Sequence, residues 1–298
     1  MLGLELDDTH VSAVSVDEQG NVLARAQVDA GGDLGAAAAR ALEQVQRSMA
    51  ASSPGLLGVA AINPESPAIA AVVSQLALRF GGAFKHGGAV LSGTAAAVAE
   101  AWVGAARGVR DVVFFAVSRH STGGVVRDGA AITGARGRAS SVAWLSLNPV
   151  EREDYRKTGC LEAEVAAAGL VRRLIWRIKA GDRSRLQDIV KDDLSAITVE
   201  HLLDAARNGD GVSISVVRDT AKYLGMAAAN LVVVADPEML VLGGIMASAA
   251  DLLIEPIRTE ISRRLPKPMM DALRIETAVL GADAAGIGAA RLVAAALL

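Results

Sequence analysis

The side chains that could do chemistry begin with a group of carboxylates near the N-terminus. Glu5, Asp7 and Asp8 lie close together in the segment LELDDTH. Carboxylate oxygens are the ligands that hard divalent cations take in proteins, so one interpretation is an acidic metal site. The favoured interpretation is an Asp-rich hairpin turn, because Asp is common where two strands reverse direction. Whether a metal binds there is left open.

A second polar group stands in the segment SRHSTGG, residues 118–124. Arg119, the hydroxyl groups and the backbone N–H groups could together hold an anion. His120 is a candidate base, but the sequence shows no partner that would orient its ring. The favoured alternative is a hairpin turn whose polar tip faces solvent.

The third feature is the pair Gly243-Gly244 at the end of the segment LVVVADPEMLVLGG. The pattern predicts a buried strand over 231–234, a turn containing a proline, a second short strand, a Gly-Gly loop and a helix over 248–263. Two successive glycines allow the backbone to approach a ligand or a neighbouring element closely.

Composition narrows the function classes. The 298 residues are 52% hydrophobic with only 3% aromatics, which predicts cores of Ala, Val, Leu and Ile. A formal charge of −3 argues against a surface that binds nucleic acid. Asp236 and Glu238 interrupt the most apolar stretch, which excludes a membrane-spanning helix there, and no signal peptide is visible. We therefore expect a cytoplasmic protein with no membrane partner.

These groups must be positioned by regular elements, and the first third of the chain alternates strands and helices. Three strands are predicted within 2–28, followed by a helix over 34–50 and a strand over 55–62. A helix over 67–80, a short strand over 89–91 and a helix over 92–102 follow. Ser92 or Thr94 is the expected cap of that last helix.

The pattern then begins again. Strands are predicted over 111–117, 123–129 and 130–137, helical segments run to about 231, and a final Ala-rich helix covers 286–298. The chain thus reads as an α/β fold of two lobes with a duplicated β-β-β-α-β-α-β-α layout. We expect a smaller lobe over 1–107, completed by the C-terminal helix, and a larger lobe over 108–285.

The Gly243-Gly244 segment and the spacing of the whole chain resemble the ROK family of sugar kinases and sugar-responsive repressors. The resemblance implies an actin-like (ribonuclease-H-like) ATPase fold and a site for ATP and Mg²⁺. It places Gly243 and Gly244 near the adenosine, and Gly123, Gly124 and Thr9 near the phosphates.

The first hairpin departs from that family's pattern. The family usually carries Asp-x-Gly-Gly-Thr-Lys, and the matching residues here are Glu5 to His10, with Asp7 and Asp8 at the glycine positions. Two unit charges of like sign about 4 Å apart repel by about 4 kcal/mol at an effective dielectric near 20. The resemblance therefore implies a weakened phosphate site, and whether ATP binds is left open.

The positions of the family's reactive residues are also altered. The catalytic Asn-Asp pair corresponds to Ser92 and Gly93, so no catalytic residue is expected. Asn63, Ser92 and Glu162 remain as candidate sugar contacts, with Asn63 expected at positive φ in its turn. The family's zinc site needs a histidine and three cysteines, whereas this chain offers Cys160 alone, so no zinc is expected.

Three functions follow from the resemblance. The favoured one is a non-catalytic pseudokinase that acts as a ligand sensor, scaffold or regulatory partner. The alternative is an active ATP-dependent sugar or amino-sugar kinase, glucokinase-like, whose catalytic site has moved to Glu162, Asp8 or His120. A sugar-responsive transcription regulator is less favoured, because such members carry a helix-turn-helix ahead of the first strand, which here begins at Leu2. The resemblance also implies a homodimer with a sugar or nucleotide ligand of unknown identity.

Overall fold

Strands and helices alternate along the first third of the chain. The computed structural model describes residues 1–48, 55–80 and 88–296. The first eight elements are β1 (Leu2–Leu6), β2 (His10–Val16), β3 (Val22–Asp29), α1 (Leu34–Arg47), β4 (Leu57–Ala61), α2 (Pro67–Phe80), β5 (Val90–Leu91) and α3 (Ser92–Trp102). These follow the predicted order, and the last two residues of the predicted helix 34–50 lie outside the described ranges.

The rest of the chain repeats the strand pattern with longer helical insertions. Three strands come first: β6 (Val112–Val117), β7 (Ser121–Arg127) and β8 (Ala130–Ala131). Six helices follow: α4 (Glu153–Thr158), α5 (Cys160–Val165), α6 (Ala167–Lys179), α7 (Leu186–Ile189), α8 (Val199–Arg207) and α9 (Gly211–Ala235). The final elements are β9 (Met239–Gly244), α10 (Ile245–Ser248), α11 (Ala250–Ser262), α12 (Lys267–Ala272), β10 (Arg274–Thr277) and α13 (Ala284–Ala295).

Three local predictions are wrong. Residues 231–234 are not a strand but the last turn of α9, which ends where Asp236 adopts a left-handed conformation at φ 44°. A short apolar run does not distinguish a strand from a helix by itself, and here the preceding GMAAAN continues the helix. The strand predicted over 130–137 shrinks to Ala130–Ala131. Helix α3 is capped by Leu91 without a side-chain hydrogen bond, so neither Ser92 nor Thr94 caps it.

The two sheets have the same strand order. In the first, β3-β2-β1-β4-β5, the first three strands are antiparallel, whereas β1–β4 and β4–β5 pair in parallel. The second sheet has the order β10-β9-β6-β7-β8, with β9 and β10 parallel and β7 and β8 antiparallel. Numbered within each half, both sheets follow the order 3-2-1-4-5, which confirms the predicted duplicated α/β layout.

The chain divides into two compact units. The first contains Met1–Phe114, Thr122–Ser140 and Ala278–Leu298, and the second contains Phe115–Ser121 and Ser141–Thr277. The lobe limits expected from the sequence stay a prediction. None of the helices in the described ranges is long and apolar enough to span a bilayer.

Helix α13 packs on β1, β4 and α3 within the first unit. The approach is so close that a Cβ added to Gly3 would lie 1.8 Å from the carbonyl oxygen of Gly286. A Cβ at Gly288 would lie 1.7 Å from the carbonyl oxygen of Ala95. The small residues of α13 are therefore required for backbone-to-backbone packing, and larger side chains would push the helix away from the sheet.

Candidate functional site

The first unit brings the end of β1 next to the beginning of α3. Leu6 pairs with Ala61 of β4, and Ala61 pairs in parallel with Leu91 of β5, directly before α3 begins at Ser92. The carboxyl ends of parallel strands meet at one edge of a sheet, where α/β folds place their ligands. Glu5 and Ser92 therefore face the same edge.

The first turn of α3 packs against the backbone of β7. A Cβ added to Gly93 would lie 2.2 Å from the Gly123 carbonyl oxygen and 2.4 Å from its nitrogen. A Cβ at Gly124 would lie 2.3 Å from the Gly93 carbonyl oxygen. Real Cβ atoms do not approach main-chain atoms this closely, so no side chain fits at Gly93 unless the backbone moves. The glycines at 93 and 124 thus have a packing reason that involves no ligand.

Ser92 presents a buried hydroxyl group. Its exposed fraction is 4%, and its Oγ forms no hydrogen bond with any described residue. Burial raises the pKa of the Glu5 carboxyl, and the nearby Ser92 hydroxyl acts in the opposite direction without reaching hydrogen-bond geometry. The polar groups at this edge include a serine hydroxyl and a carboxyl group with a raised pKa.

The first hairpin holds its carboxylates by local hydrogen bonds. Asp7 Oδ1 accepts hydrogen bonds from the N–H and the hydroxyl of Thr9, both at 2.9 Å. Burial acts to raise the pKa of Asp7, but hydrogen bonds from Asp8 and Thr9 outweigh it, and the pKa falls below its ordinary value. Within the described part of the chain, Glu5 does not join Asp7 and Asp8 in a cluster of metal-ligating atoms. The arrangement is that of an Asp-stabilised turn.

The predicted conformation of Asn63 is wrong. Asn63 is exposed after β4 and is absent from the residues with positive φ in the described chain. Its carbonyl oxygen accepts a hydrogen bond from Ser66 N at 3.1 Å, which closes an ordinary turn with negative φ. Its role as a sugar contact stays a prediction.

The second unit gives His120 the partner that the sequence did not reveal. His120 Nδ1 lies 3.3 Å from Glu162 Oε1, and Ser121 N donates a hydrogen bond to Glu162 Oε2 at 2.7 Å. Both side chains are largely buried, with exposed fractions of 22% and 15%. The carboxylate of Glu162 therefore holds the turn after β6 in place. Periodicity could not pair these residues, because they lie on different elements 42 positions apart.

Gly243 and Gly244 form the end of β9 and not a loop. Gly244 has φ 62°, and a Cβ there would lie 1.9 Å from the carbonyl oxygen of Val117. Its positive φ and this close approach require glycine whether or not a nucleotide binds. Cys160, the single cysteine, is buried at the beginning of α5.

Glu100 is the buried carboxylate that the sequence did not single out as a structural anchor. Its exposed fraction is 0%. Oε2 accepts a hydrogen bond from Ala105 N at 2.7 Å, and Oε1 accepts from Val279 N and Leu280 N, both at 3.0 Å. One side chain therefore ties the end of α3 to the segment that leads into α13. The signal in the sequence was an isolated charge in an otherwise apolar helix.

Comparison with known proteins agrees with this architecture. The model of the ROK family matches residues 84–296. The glucokinase of Halalkalibacterium halodurans is 31% identical over 66% of this chain and 60% of its own length. The N-acetylglucosamine repressor of Shigella flexneri is 27% identical over 68% of this chain and 48% of its own length. The chain thus spans from about half to about 60% of these curated relatives.

Solved structures of the family share the whole fold. A ROK family glucokinase from Streptomyces griseus, in complex with glucose and AMPPNP, superimposes with a TM-score of 0.79 at 22% identity, covering 98% of each chain. The ROK hexokinase from Thermus thermophilus gives a TM-score of 0.76 at 25% identity, covering 100% of this chain and 99% of its own. The expected actin-like fold is therefore confirmed. By the match over residues 84–296, together with the duplicated sheets, this chain belongs to the ROK family.

Proposed function

We propose that this protein is a non-catalytic ROK-family member that acts as a ligand sensor, scaffold or regulatory partner. The observation that supports the proposal most directly is the contact between Gly93 and the Gly123 backbone, which leaves no room for a side chain at the position matched to the family's base. Ser92 beside it carries a hydroxyl, which does not accept a proton at neutral pH. A positioned base contributes about 10²–10⁴-fold to rate, so its loss removes most of the catalytic power.

The phosphate-binding segments also favour a protein that does not turn over ATP. Asp7 has a lowered pKa and stays ionised at neutral pH, so its charge opposes the triphosphate of a nucleotide. Because of this charge, the first hairpin does not fit a nucleotide triphosphate, and we derive no phosphoryl-transfer step from it.

Gly244 does not require a nucleotide either, because its close approach to Val117 explains the glycine by packing alone.

The test is an ATP-consumption assay with glucose, N-acetylglucosamine and N-acetylmannosamine as acceptors. The glucokinase of Halalkalibacterium halodurans serves as the positive control. We expect no ATP consumption above the enzyme-free rate under conditions in which the control turns over. Sugar-dependent turnover approaching that of the control would contradict the proposal.

A thermal-shift screen separates the sensor from the scaffold. A ligand that binds the folded state raises the melting temperature in proportion to the logarithm of its concentration. For a sensor, we expect at least one hexose, amino sugar or sugar phosphate to raise the melting temperature, and to raise it further as its concentration increases. A melting temperature that no ligand in the panel changes would favour a scaffold.

One observation favours the alternative of an active kinase with a relocated base. Glu5 combines a raised pKa with a position at the ligand-bearing edge of the first sheet, which is a pattern of functional carboxyl groups. If turnover is found, Glu5→Gln should abolish it when Glu5 is the base, and Glu162→Gln should abolish it when the Glu162–His120 pair is. Glu18→Gln, on the exposed turn after β2, is the matched control.

We also propose that the protein is a cytoplasmic homodimer that does not bind nucleic acid. The resemblance supports the dimer, and the formal charge of −3 supports the absence of a nucleic-acid surface. Light scattering after size-exclusion chromatography should give twice the mass of the 30.6 kDa chain. A monomer mass across the accessible concentration range would contradict the dimer.

A further inference from the structure

The segment from Ala143 to Thr158, here called the 143–158 loop, carries little apolar burial. Leu147, with an exposed fraction of 9%, is the only side chain in it that is buried. Helix α4 within the loop has 6 residues and buries none of them. A helix of this length is not stable by itself in water. Hydrophobic contact alone therefore does not explain how the loop is held in the second unit, to which it belongs.

The two ends of the loop meet through the main chain. A Cβ added to Gly159 would lie 2.1 Å from the Ala143 carbonyl oxygen, and Gly159 has φ 94°. The position therefore needs glycine for its conformation and for its packing. Gly159 N also donates a hydrogen bond to the Tyr155 carbonyl oxygen at 3.0 Å, where α4 ends. These contacts fix the ends of the loop but not its middle.

Glu164 on α5 holds the middle of the loop. Its side chain is 6% exposed, and its Oε1 accepts hydrogen bonds from Arg152 Nη1 at 3.0 Å and from the Tyr155 hydroxyl at 2.5 Å. The Tyr155 hydroxyl in turn accepts a hydrogen bond from Asn148 Nδ2 at 3.2 Å. Burial and the hydrogen bond to Glu164 raise the pKa of Tyr155, so its hydroxyl keeps the proton that it donates. Three positions of the loop therefore converge on one buried carboxylate.

Asp154 connects the same loop to α6. Its carboxylate lies 3.0 Å from Arg172 Nη1 and accepts hydrogen bonds from Arg152 at 2.7 and 3.1 Å. The Arg152 guanidinium group also lies over the Tyr155 ring, with Cζ 5.0 Å from the ring centroid. The charges of the two arginines balance those of Asp154 and Glu164, so the network is neutral without a further ion.

The residues at the loop do not fit the zinc ion that the family resemblance implies. A structural zinc site takes four ligands, which are mostly cysteine sulfurs and histidine nitrogens. Cys160, directly after the loop, is the single cysteine, and the chain has no histidine between His120 and His201. Among the residues that the structure describes, no group of three or more metal-ligating side chains includes Cys160. The loop therefore lacks the donor set for zinc, whereas its polar network is complete.

We propose that the network centred on Glu164 holds the 143–158 loop against α5 and α6 in place of a structural zinc ion. Hydrogen bonds with a charged partner are stronger than neutral ones, and a buried acceptor strengthens them further. The order of the loop is therefore independent of metal. This role goes beyond the proposed function, since none of these residues is assigned there to a sugar or a nucleotide.

Amide hydrogen exchange of the full chain, followed by mass spectrometry, tests this role. Exchange reports the opening of one segment separately from global unfolding. Tyr155→Phe removes the hydroxyl and keeps the ring, and Glu164→Gln removes the charge. In both variants we expect peptides from residues 143–159 to exchange faster by about tenfold or more, because a hydrogen bond to a charged group shifts an opening equilibrium by that much. Peptides from α11, in the same unit, should exchange as in the parent protein.

Two variants and a chelator serve as controls. Tyr223→Phe removes the other tyrosine hydroxyl of the chain, on α9, and should leave exchange of the loop unchanged. Cys160→Ala removes the single sulfur ligand and should change exchange of the loop far less than Tyr155→Phe does. EDTA should change neither this exchange nor the melting temperature, because chelators denature folds that depend on a metal. If Glu164→Gln does not fold, Arg152→Met at an exposed position breaks the same pairing.

The proposal is overturned if the purified protein holds stoichiometric zinc whose removal with EDTA speeds exchange of the loop. It is equally overturned if Cys160→Ala loosens the loop as much as Tyr155→Phe does. Unchanged exchange of the loop in both Tyr155→Phe and Glu164→Gln would show that the network does not hold it. Exchange that increases equally in the loop and in α11 would show that Glu164 supports the whole unit instead.

Discussion

The two ends of helix α3 differ in how a buried polar group is hydrogen-bonded. At its beginning, the Ser92 hydroxyl is buried without a partner, beside a Glu5 carboxyl group whose pKa is raised. Near its end, Glu100 is fully buried and accepts three backbone N–H groups at 2.7–3.0 Å. Both ends lie in the same unit, on a helix of 11 residues.

The comparison shows which of these two buried polar groups the fold itself requires. Glu100 joins three segments that must meet for the fold to form, so its carboxylate is fully coordinated by the protein itself. The first turn of α3 is instead fixed by contact with β7, and its polar groups are not needed for that contact. The contacts that hold α3 in the fold are therefore satisfied within the chain, whereas the Ser92 hydroxyl at its beginning is left without a partner.

The largest expected loss of stability comes from placing a carboxylate at the beginning of α3. Gly93→Asp would force a side chain into the Gly123 backbone, and we expect it to lower the free energy of unfolding by about 3 kcal/mol or more without creating kinase activity. Urea denaturation measures the loss. Gly211→Ala, at a glycine with open space around it, is the control and should be near neutral. An unchanged unfolding midpoint in Gly93→Asp would contradict the close packing of α3.

A loss of similar size is expected at the other end of α3. Glu100→Ala leaves three buried N–H groups without an acceptor, and each unsatisfied donor costs about 1–3 kcal/mol, so we expect a loss of at least 3 kcal/mol by this estimate. Glu100→Gln retains one acceptor oxygen, so its free energy of unfolding should lie between those of the parent protein and Glu100→Ala. Glu43→Ala, at a partly exposed ion pair, is the comparison and should cost less than about 1 kcal/mol.

A smaller effect of opposite sign is expected at Glu5. Because burial raises its pKa in the folded state, the folded protein binds a proton more readily than the unfolded chain does, and stability from this group increases as pH falls. Glu5→Gln should therefore raise the unfolding midpoint at neutral pH. The difference in unfolding midpoint between Glu5→Gln and the parent protein should narrow as pH falls through the raised pKa of Glu5. It should vanish below the ordinary pKa of 4.5. A gap that is constant with pH would exclude titration of Glu5 as its source.

The smallest effect is expected at Ser92. Because its hydroxyl has no partner, Ser92→Ala should leave stability unchanged or raise it slightly. Ser213→Ala is the matched change at a buried serine whose Oγ donates to the Asp210 carboxylate at 2.7 Å, and it should cost about 1.5–3 kcal/mol. Calorimetric melting of both variants checks the comparison. A larger loss in Ser92→Ala than in Ser213→Ala would mean that the Ser92 hydroxyl is engaged in the fold.

Much of the fold could be predicted from local pattern, because strands and helices leave distinct periods. The hairpins of residues 2–28 and the helix from Leu34 were visible in this way. The run at 231–234 was not, since a helix of 25 residues and a buried strand look alike over four apolar positions. The positive φ expected at Asn63 was also wrong, because Asn63 is the first residue of a turn closed by Ser66 N, a position that does not require it.

The candidate site was less predictable, because it depends on contacts between distant segments. The family resemblance pointed to Gly93 and Gly123 separately, but only the fold shows that their backbones touch. The pairing of His120 with Glu162 likewise arises from packing between elements. Sequence pattern indicates which residues are polar, and tertiary structure determines which of them are satisfied.

The packing of α13 on β1, β4 and α3 has a consequence for biosynthesis. The sheet that forms from the first hundred residues lacks one of its covering helices until residues 284–295 leave the ribosome, on the order of ten seconds later at usual rates of translation. During that interval, the glycines and alanines that later receive α13 present bare main chain to the solvent and to chaperones. The covering of this sheet is therefore completed only at the end of synthesis.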